Sequence, residues 1–340
     1  MFARQIGIDL GTTNVLVYLR GRGIVVNEPS VVAVSPGNRR VEAVGDEALQ
    51  MLGRSAESLE VVRPLRHGVI ADYFVTEAML RYFVEKVCGR FRLLKPVVMT
   101  AVPAGATSVE LRAVDEAALA AGARSPPYSI QEPLAAAIGA GISISAPSGN
   151  LIVDIGGGTT EVAVISLNDI VAMHAERIGG SQLDEDIATY IRRKHNLLVG
   201  DRTAEEAKIE AGSALPLQVT QRFDIRGRDI VSGLPRTVTV NSEEITEAMR
   251  ETLMQIVAAI KTVLERTPPE LAADIIDKGI VLTGGGALLR HLDRFVTFHT
   301  GVPCHVAEQP LSCVALGTGL ALEHLDVLRK SLVPARGRAS

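Results

Sequence analysis

Two segments of this chain carry the same signature, Asp9-Leu10-Gly11-Thr12-Thr13-Asn14 and, 145 residues later, Asp154-Ile155-Gly156-Gly157-Gly158-Thr159-Thr160. Each follows an apolar run, Ile6-Gly7-Ile8 or Ile152-Val153. Each is followed by aliphatic residues, Val15-Leu16-Val17 or Val162-Ala163-Val164, a match that allows two extra residues in the second loop. The pattern is strand, Asp-x-Gly turn, strand, written twice. Dinucleotide-binding and Walker-type glycine loops lead from a strand into a helix. Both turns here lead into a strand, and the sequence has no Gly-x-x-x-x-Gly-Lys-Ser/Thr run. What remains is a β-hairpin whose glycines permit positive φ and whose backbone N–H groups face a phosphate.

A duplicated unit in 340 residues implies two halves, each long enough to bury its own core. Helices announce themselves between the strands. Thr107 and Glu110 form a capping box that starts a helix to about Gly122, with Leu111, Val114, Ala118 and Ala121 on its buried stripe. Another begins near Ser242 and keeps helical spacing through Ile245, Met249, Leu253, Ile256, Ile260 and Val263 until Pro268-Pro269. Strands interleaved with such helices predict an α/β architecture of two similar domains with a nucleotide site in the cleft between them.

Asp9 and Asp154, at matching turns on opposite halves, suit two carboxylates holding hydrated Mg2+ against a polyphosphate, most simply that of ATP. The plainer reading makes each aspartate a cap of its own turn, but two copies in one duplicated frame favour a shared role. Gly11, Thr12, Thr13 and Asn14 from the first half, and Gly156, Gly157, Gly158 and Thr159 from the second, are the expected phosphate donors. A third cluster, Thr283-Gly284-Gly285-Gly286-Ala287, follows the apolar Ile280-Val281-Leu282. It is expected to open a helix carrying Leu288, Leu289, Leu292 and Val296, and its bare backbone admits a flat ring or a phosphate, though such turns are as often structural. Gln131-Glu132-Pro133 places proline at the first helical position before the small-residue run Leu134 to Gly141. Glu132 at that entrance is either a cap or the group that orients the water attacking a γ-phosphate.

A net charge of -4, with 22% charged residues, gives no reason to expect a nucleic-acid partner. Cys88, Cys304 and Cys313 are scattered without a Cys-x-x-Cys pair, which fits a reducing compartment. No secretory leader pattern opens the chain and no run is long enough to span a bilayer, so a cytoplasmic protein with at most peripheral membrane contact is expected.

Asp-x-Gly-Thr, Glu-Pro-x-Ala-Ala-Ala, Asp-x-Gly-Gly-Gly-Thr-Thr and Thr-Gly-Gly-Gly-Ala-Leu-Leu, in this order over almost the whole chain, resemble the actin-like ATPase superfamily and within it the bacterial actins of the MreB/Mbl family. Residues 23–30, 68–72, 267–275 and 315–319 extend the match, while residues 1–4 and 231–237 are more similar to the Mbl branch. The resemblance implies the actin-like ATPase fold, duplicated ribonuclease H-like domains flanking a nucleotide cleft. The first half would span residues 1–145, with a small subdomain at about 33–65. The second would span 146–325, with a small subdomain at about 181–242. A C-terminal helix at about 311–330 would pack back on the first half, ahead of a basic tail at 331–340.

Roles follow from the same resemblance. Glu205-Glu206-Ala207-Lys208 corresponds to a Glu-x-x-Lys turn that contacts ribose and adenine; residues alone read it as a solvated helix start with a capping box. Glu132 and Thr159 would position the attacking water, with Asp154 beside them. Met1, Phe2, Phe91, Leu93 and Leu94 would form a membrane-inserting surface. Thr13 and Gln131 stand where alanine and glutamate are frequent, without removing a proposed catalytic group. The implied function is a cytoskeletal ATPase that polymerises into paired protofilaments on the inner face of the cell membrane. It would direct cell-wall elongation and rod shape together with the elongation complex and a transmembrane adaptor. The alternative is an actin-fold small-molecule kinase, which needs an acceptor pocket and a further catalytic aspartate that the sequence does not offer. A chaperone of this fold would continue into a peptide-binding domain.

Overall fold

The protein is described by a computed structural model covering residues 3–37, 39–51, 59–66, 68–90, 94–328 and 331–333. Two five-stranded sheets dominate it. In the first, the strands run in the order Tyr128–Gln131, Val97–Val102, Gln5–Leu10, Asn14–Leu19, Gly23–Pro29. In the second, the order from the opposite edge is Cys304–Val306, Ile280–Thr283, Asn150–Ile155, Thr160–Ser166, Asp169–Glu176. Each has a central strand whose penultimate residue is the signature aspartate, two antiparallel strands on one side and parallel strands on the other. The duplication seen in the sequence is thus a duplicated sheet topology.

Strand parity decides what each face covers. Ile6, Ile8, Leu10, Val15, Val17 and Leu19 form one face of the first hairpin and pack with Val75, Met79, Phe83, Val114 and Ala117 of the Tyr73–Cys88 and Ser108–Ala120 helices. Leu151, Val153, Ile155, Val162 and Val164 do the same in the second half, with Ile187, Leu253, Ile256 and Ile260 of the Gly180–His195 and Ser242–Arg266 helices. The opposite faces share a third core. There Met99 and Ala101 from one sheet and Ile152, Ala163 and Ile165 from the other enclose Leu134–Ala137 and the buried side of the Cys313–Glu323 helix.

The two central helices approach through glycine. A Cβ at Gly317 would collide with the Ala135 carbonyl oxygen, and one at Gly139 with the Cys313 carbonyl. Alanine gains roughly 1 kcal/mol of helix propensity over glycine, but a fixed backbone carbonyl cannot rotate aside as a side chain does. Gly317→Ala is therefore expected to cost about 1–3 kcal/mol net, through overpacking. A urea midpoint lowered at unchanged slope is the check.

Smaller units flank each sheet. Val32–Val34, Val41–Val44 and Glu60–Val62 form a three-stranded sheet with a small core of Val31, Ala33, Ala43 and Ala48. Leu197–Leu198, Arg222–Asp229 and Pro235–Asn241 form another, with the Asp201–Ala211 helix packed on it.

Several local expectations hold and several are corrected. The Thr107/Glu110 capping box is present, both hydrogen bonds made, and the long helix starts at Ser242 under a second box from Asn241 and Glu244. The glycine cluster at 284–286 does not open one continuous helix. Gly285–Leu288 is a 3₁₀ turn, and the α-helix begins only at Leu292, because His291 adopts the left-handed conformation at φ 59° and interrupts the hydrogen-bond ladder. Leu288 is left exposed while Leu292 and Val296 are buried. Glu132, not Pro133, is the first helical residue, with Gln131 as N-cap. The C-terminal helix is interrupted at His324, giving Cys313–Glu323 and Leu325–Leu328. Glu205–Lys208 lies inside the Asp201–Ala211 helix, whose N-cap is Gly200, and so is no helix start.

Candidate functional site: the cleft between two hairpins

Both signature turns are held shut by the chain around them. In the second, Gly156 N–H donates to the Thr159 carbonyl at 2.8 Å. In the first, the Thr13 carbonyl accepts from Ser30 N–H at 2.7 Å and Thr12 Oγ1 accepts from Gly68 N–H at 2.9 Å. A Cβ at Gly11 would meet the Asn14 carbonyl at 2.6 Å, so the turn itself requires glycine there. A Cβ at Gly157 would collide with the Thr13 side chain. The turns of the two halves therefore touch, and their N–H groups border one cleft. The Asn14 carboxamide donates to Asn27 Oδ1 at 2.8 Å and braces the neighbouring strand.

The pairing register corrects the alignment of the two turns. Asp9 faces Leu16 and Asp154 faces Glu161, an equal span in each hairpin, so no inserted residues are needed. The match with two extra residues came from equating the threonine pairs. In register, Glu161 occupies the place that an apolar Leu16 fills in the first half.

Support for the second turn comes from helices behind it. Gly180 and Ser181 N–H, at the start of the Gly180–His195 helix, donate to the carbonyls of Gly156 and Gly157 at 2.9 and 2.8 Å. Lys208 reaches back to the Gly180 carbonyl at 2.8 Å and pairs with Asp184 at 2.8 Å, its side chain largely buried. Ala207 is buried, Glu205 half-buried, and Glu206 is exposed in an ion pair with Arg202. The third glycine cluster meets protein backbone first. Gly284, at φ 80°, lies where a Cβ would strike Ile155, and Gly286 is pressed on Ile155 as well. Gly285 lies near Leu311, and Ala287 is buried. Two of these glycines are thus explained by packing on the end of the second hairpin.

The same parity that turns Ile8 and Val153 outward turns Asp9, Asp154 and Glu161 toward the space between the sheets, where the Glu132–Gly139 helix begins. Asp154, Glu132 and Glu161 are buried; Asp9 lies deep in the cleft with one edge open to water. Burial, and then the charge of Asp154, pushes the Asp9 carboxyl up to about 8. Burial raises Asp154 to about 6, against the Thr283 hydroxyl that donates to it at 2.8 Å. Burial and then Asp154 raise Glu161 to about 8, opposed by the Ala104 N–H at 2.9 Å. Glu132 is pushed well above the usual carboxylate range by burial and then by Glu161, Asp9 and Asp154. None of the ion pairs among the described residues reaches these four groups. A cluster of buried acids bordered by backbone N–H groups is matched by a divalent cation carrying a polyphosphate. Among the described residues no three acidic, imidazole or thiol groups converge to hold a metal directly.

Sequence reasoning missed Glu161, Thr283, Gly68 and Ala104. An acidic residue at the head of the otherwise apolar run Val162-Ala163-Val164-Ile165 is the available signal for Glu161; Thr283 heads the third glycine cluster and Gly68 opens the 68–72 match, whereas Ala104 carries no signal. Of the expected membrane surface, Met1, Phe2, Phe91 and Leu93 lie outside the described residues, and Leu94 is exposed. No described helix is long and apolar enough to cross a membrane.

Comparison with known proteins agrees with this architecture. Residues 3–330 match the family described as "MreB/Mbl protein". The chain is 52% identical to the cell shape-determining protein Mbl of Bacillus subtilis (strain 168), over 97% of this chain and 99% of that one. It is likewise 52% identical to the cell shape-determining protein MreB of Escherichia coli (strain K12), over 96% and 95%. Overall identity therefore does not separate the two branches. Among solved structures, MreB5 of Spiroplasma citri bound to ADP superposes with a TM-score of 0.91 at 37% identity, over 96% of this chain and 98% of that one.

Proposed function

Because this chain belongs to the MreB/Mbl protein family, we infer that it is a cytoskeletal, cell-shape-determining protein of the actin-like fold whose cleft binds and hydrolyses ATP. The observation that carries the nucleotide reading is the contact of the two glycine turns beside four carboxylates, Glu132, Asp154 and Glu161 buried and Asp9 half-buried. The backbone N–H groups of 11–14 and 157–159 bind the phosphates, that of Gly156 being taken up by the Thr159 carbonyl within the turn. Asp9 and Asp154 hold Mg2+ through water; when bound, the ion neutralises charge on the phosphates. Glu132, with its raised proton affinity, accepts a proton from the attacking water while Thr159 helps to place it. Glu205 and Lys208 border the base and ribose, and Gly284 to Ala287 the other wall.

Self-association follows the head-to-tail logic of actin-like subunits, in which a contact that does not close into a ring grows a filament. Met1, Phe2, Phe91, Leu93 and Leu94 supply an apolar anchor of roughly 1.5–3 kcal/mol per buried side chain at most. One such anchor is weak, but anchors repeated along paired protofilaments act together, since linked sites gain about 10² to 10⁴ in affinity. The filament then lies on the inner face of the cell membrane and works with the cell-wall elongation complex through a transmembrane adaptor.

Sedimentation with liposomes, with and without ATP, run beside phosphate-release and sugar-phosphorylation assays, tests this reading. ATP-dependent co-pelleting with phosphate release is expected. Soluble protein that phosphorylates a sugar defeats it, although the relatives, named for cell shape, give the kinase alternative no support. Polymerisation and membrane binding should reinforce each other, so equal liposome binding by a polymerisation-dead variant counts against that coupling.

A further inference from the structure

The loop between the Val97–Val102 strand and the Ser108–Ala120 helix, in the first half, reaches the second half. Pro103 lies beside Gly68, where a Cβ would also meet the Thr159 methyl at 3.3 Å. Ala104 N–H donates to Glu161 Oε1 at 2.9 Å. A Cβ at Gly105 would come within 3.9 Å of the methyl of Ala175, the residue paired with Glu161 in the next strand. The nucleotide hairpin of one half and a loop of the other are thus joined by a hydrogen bond that a backbone amide donates to a carboxyl side chain.

Glu161 is 1% exposed, and its second oxygen, Oε2, has no hydrogen-bond partner among the described residues. A buried carboxylate oxygen left unpaired is costly, and an apolar side chain of like size would pack there more favourably. Leu16 does so at the matching place in the first hairpin. A carboxyl group at this position therefore calls for a task beyond packing. Glu161 lies on the strand face that continues as Ala163 and Ile165, which pack on the helix opened by Glu132. It stands opposite Asp154 in the hairpin register.

We propose that Glu161 is a positioning residue joining the two halves, one carboxylate oxygen holding Ala104 while the other directs the carboxyl of Glu132 toward the water it serves. The second part rests on the hydrolysis reading above; the first does not. Opening the cleft would break the bond to Ala104, free the Glu161 side chain and release Glu132, which ties turnover to closure of the subunit.

The test uses the full chain with Glu161→Gln, Glu161→Asp and Glu161→Leu. Three quantities are measured: hydrogen exchange of the peptide containing the Ala104 amide, affinity for a fluorescent ATP, and single-turnover phosphate release at saturating ATP. Glutamine keeps an acceptor for Ala104 and offers a donor to Glu132, so exchange and turnover should stay within about threefold of the parent. Aspartate, one methylene short yet of the same charge, and leucine should speed exchange and slow turnover by roughly tenfold or more, as expected when a reacting group is misplaced by about 1 Å. Nucleotide affinity should hold within about threefold. Unchanged Ala104 exchange in both Glu161→Asp and Glu161→Leu overturns the cross-cleft bond. Faster exchange with unchanged turnover overturns the link to Glu132, and a loss of affinity that accounts for the loss of rate reduces Glu161 to a structural part. A parent chain that releases no phosphate sinks the hydrolysis reading instead, while the exchange data still judge the bond.

Discussion

Asp9→Asn is expected to stabilise the nucleotide-free protein at pH 8 while abolishing its stabilisation by ATP and Mg2+. The Asp9 carboxyl is raised from 3.8 to about 8, chiefly by burial and then by Asp154. Below pH 4 both the folded and the unfolded chain carry the proton, and the group contributes nothing. As pH rises from about 4 to about 8 the unfolded chain ionises Asp9 and the folded chain resists, so stability falls across that window and levels off above it. With a discount for the edge of the cleft that stays wet, the cost recovered by asparagine at pH 8 is about 2–4 kcal/mol. Urea unfolding of parent and variant at pH 4 and pH 8, in the presence of a chelator, measures it. Asparagine keeps the shape of the turn but loses the charge that faces the cation. Added ATP and Mg2+, which should raise the parent's midpoint by mass action, should leave the variant unmoved. Equal stability of the two proteins at pH 8 would show that the carboxylate is not held against its ionisation.

Replacing Glu132 has the largest kinetic effect. Glu132→Ala should slow phosphate release by about 10² to 10⁴, the range for a removed general base, with ATP binding retained. Glu132→Gln should be nearly as slow, because it preserves the shape at the helix entrance and removes only the basic oxygen. The parent's rate should rise with pH as Glu132 loses its proton, in a limb displaced above the usual carboxylate range by burial and by Glu161, Asp9 and Asp154. Neither variant should show that limb. Turnover within twofold of the parent in both would take Glu132 out of the reaction and leave it as the opening residue of its helix.

Features set by neighbouring residues were legible before any coordinates. The capping box at Thr107 and Glu110 is made within one turn, and the alternation that turns Ile8 and Asp9 to opposite faces is a property of a single strand. Residues whose state depends on something distant are not legible in this way. The α-helix beyond the glycine cluster starts only after a left-handed His291 whose ring is bonded by Ser213, far away in the chain. Lys208 is held by Gly180 and Asp184 of another helix. Glu161 was passed over because equating the threonine pairs of the two turns shifted it out of register with its true counterpart, Leu16.

For the paired glycine turns, the sequence by itself determined that there are two, that each is a hairpin and not a strand-to-helix loop, and that an aspartate stands near the end of each central strand. Turn chemistry and strand periodicity are local, and a few consecutive residues suffice to write them. Only the tertiary structure decided that Gly157 lies on Thr13, that Ala104 reaches Glu161, and that four carboxylates from four separate segments share one buried space. Those relations depend on how two sheets close over a pair of central helices, set by contacts such as Gly317 on Ala135 between residues far apart in the chain.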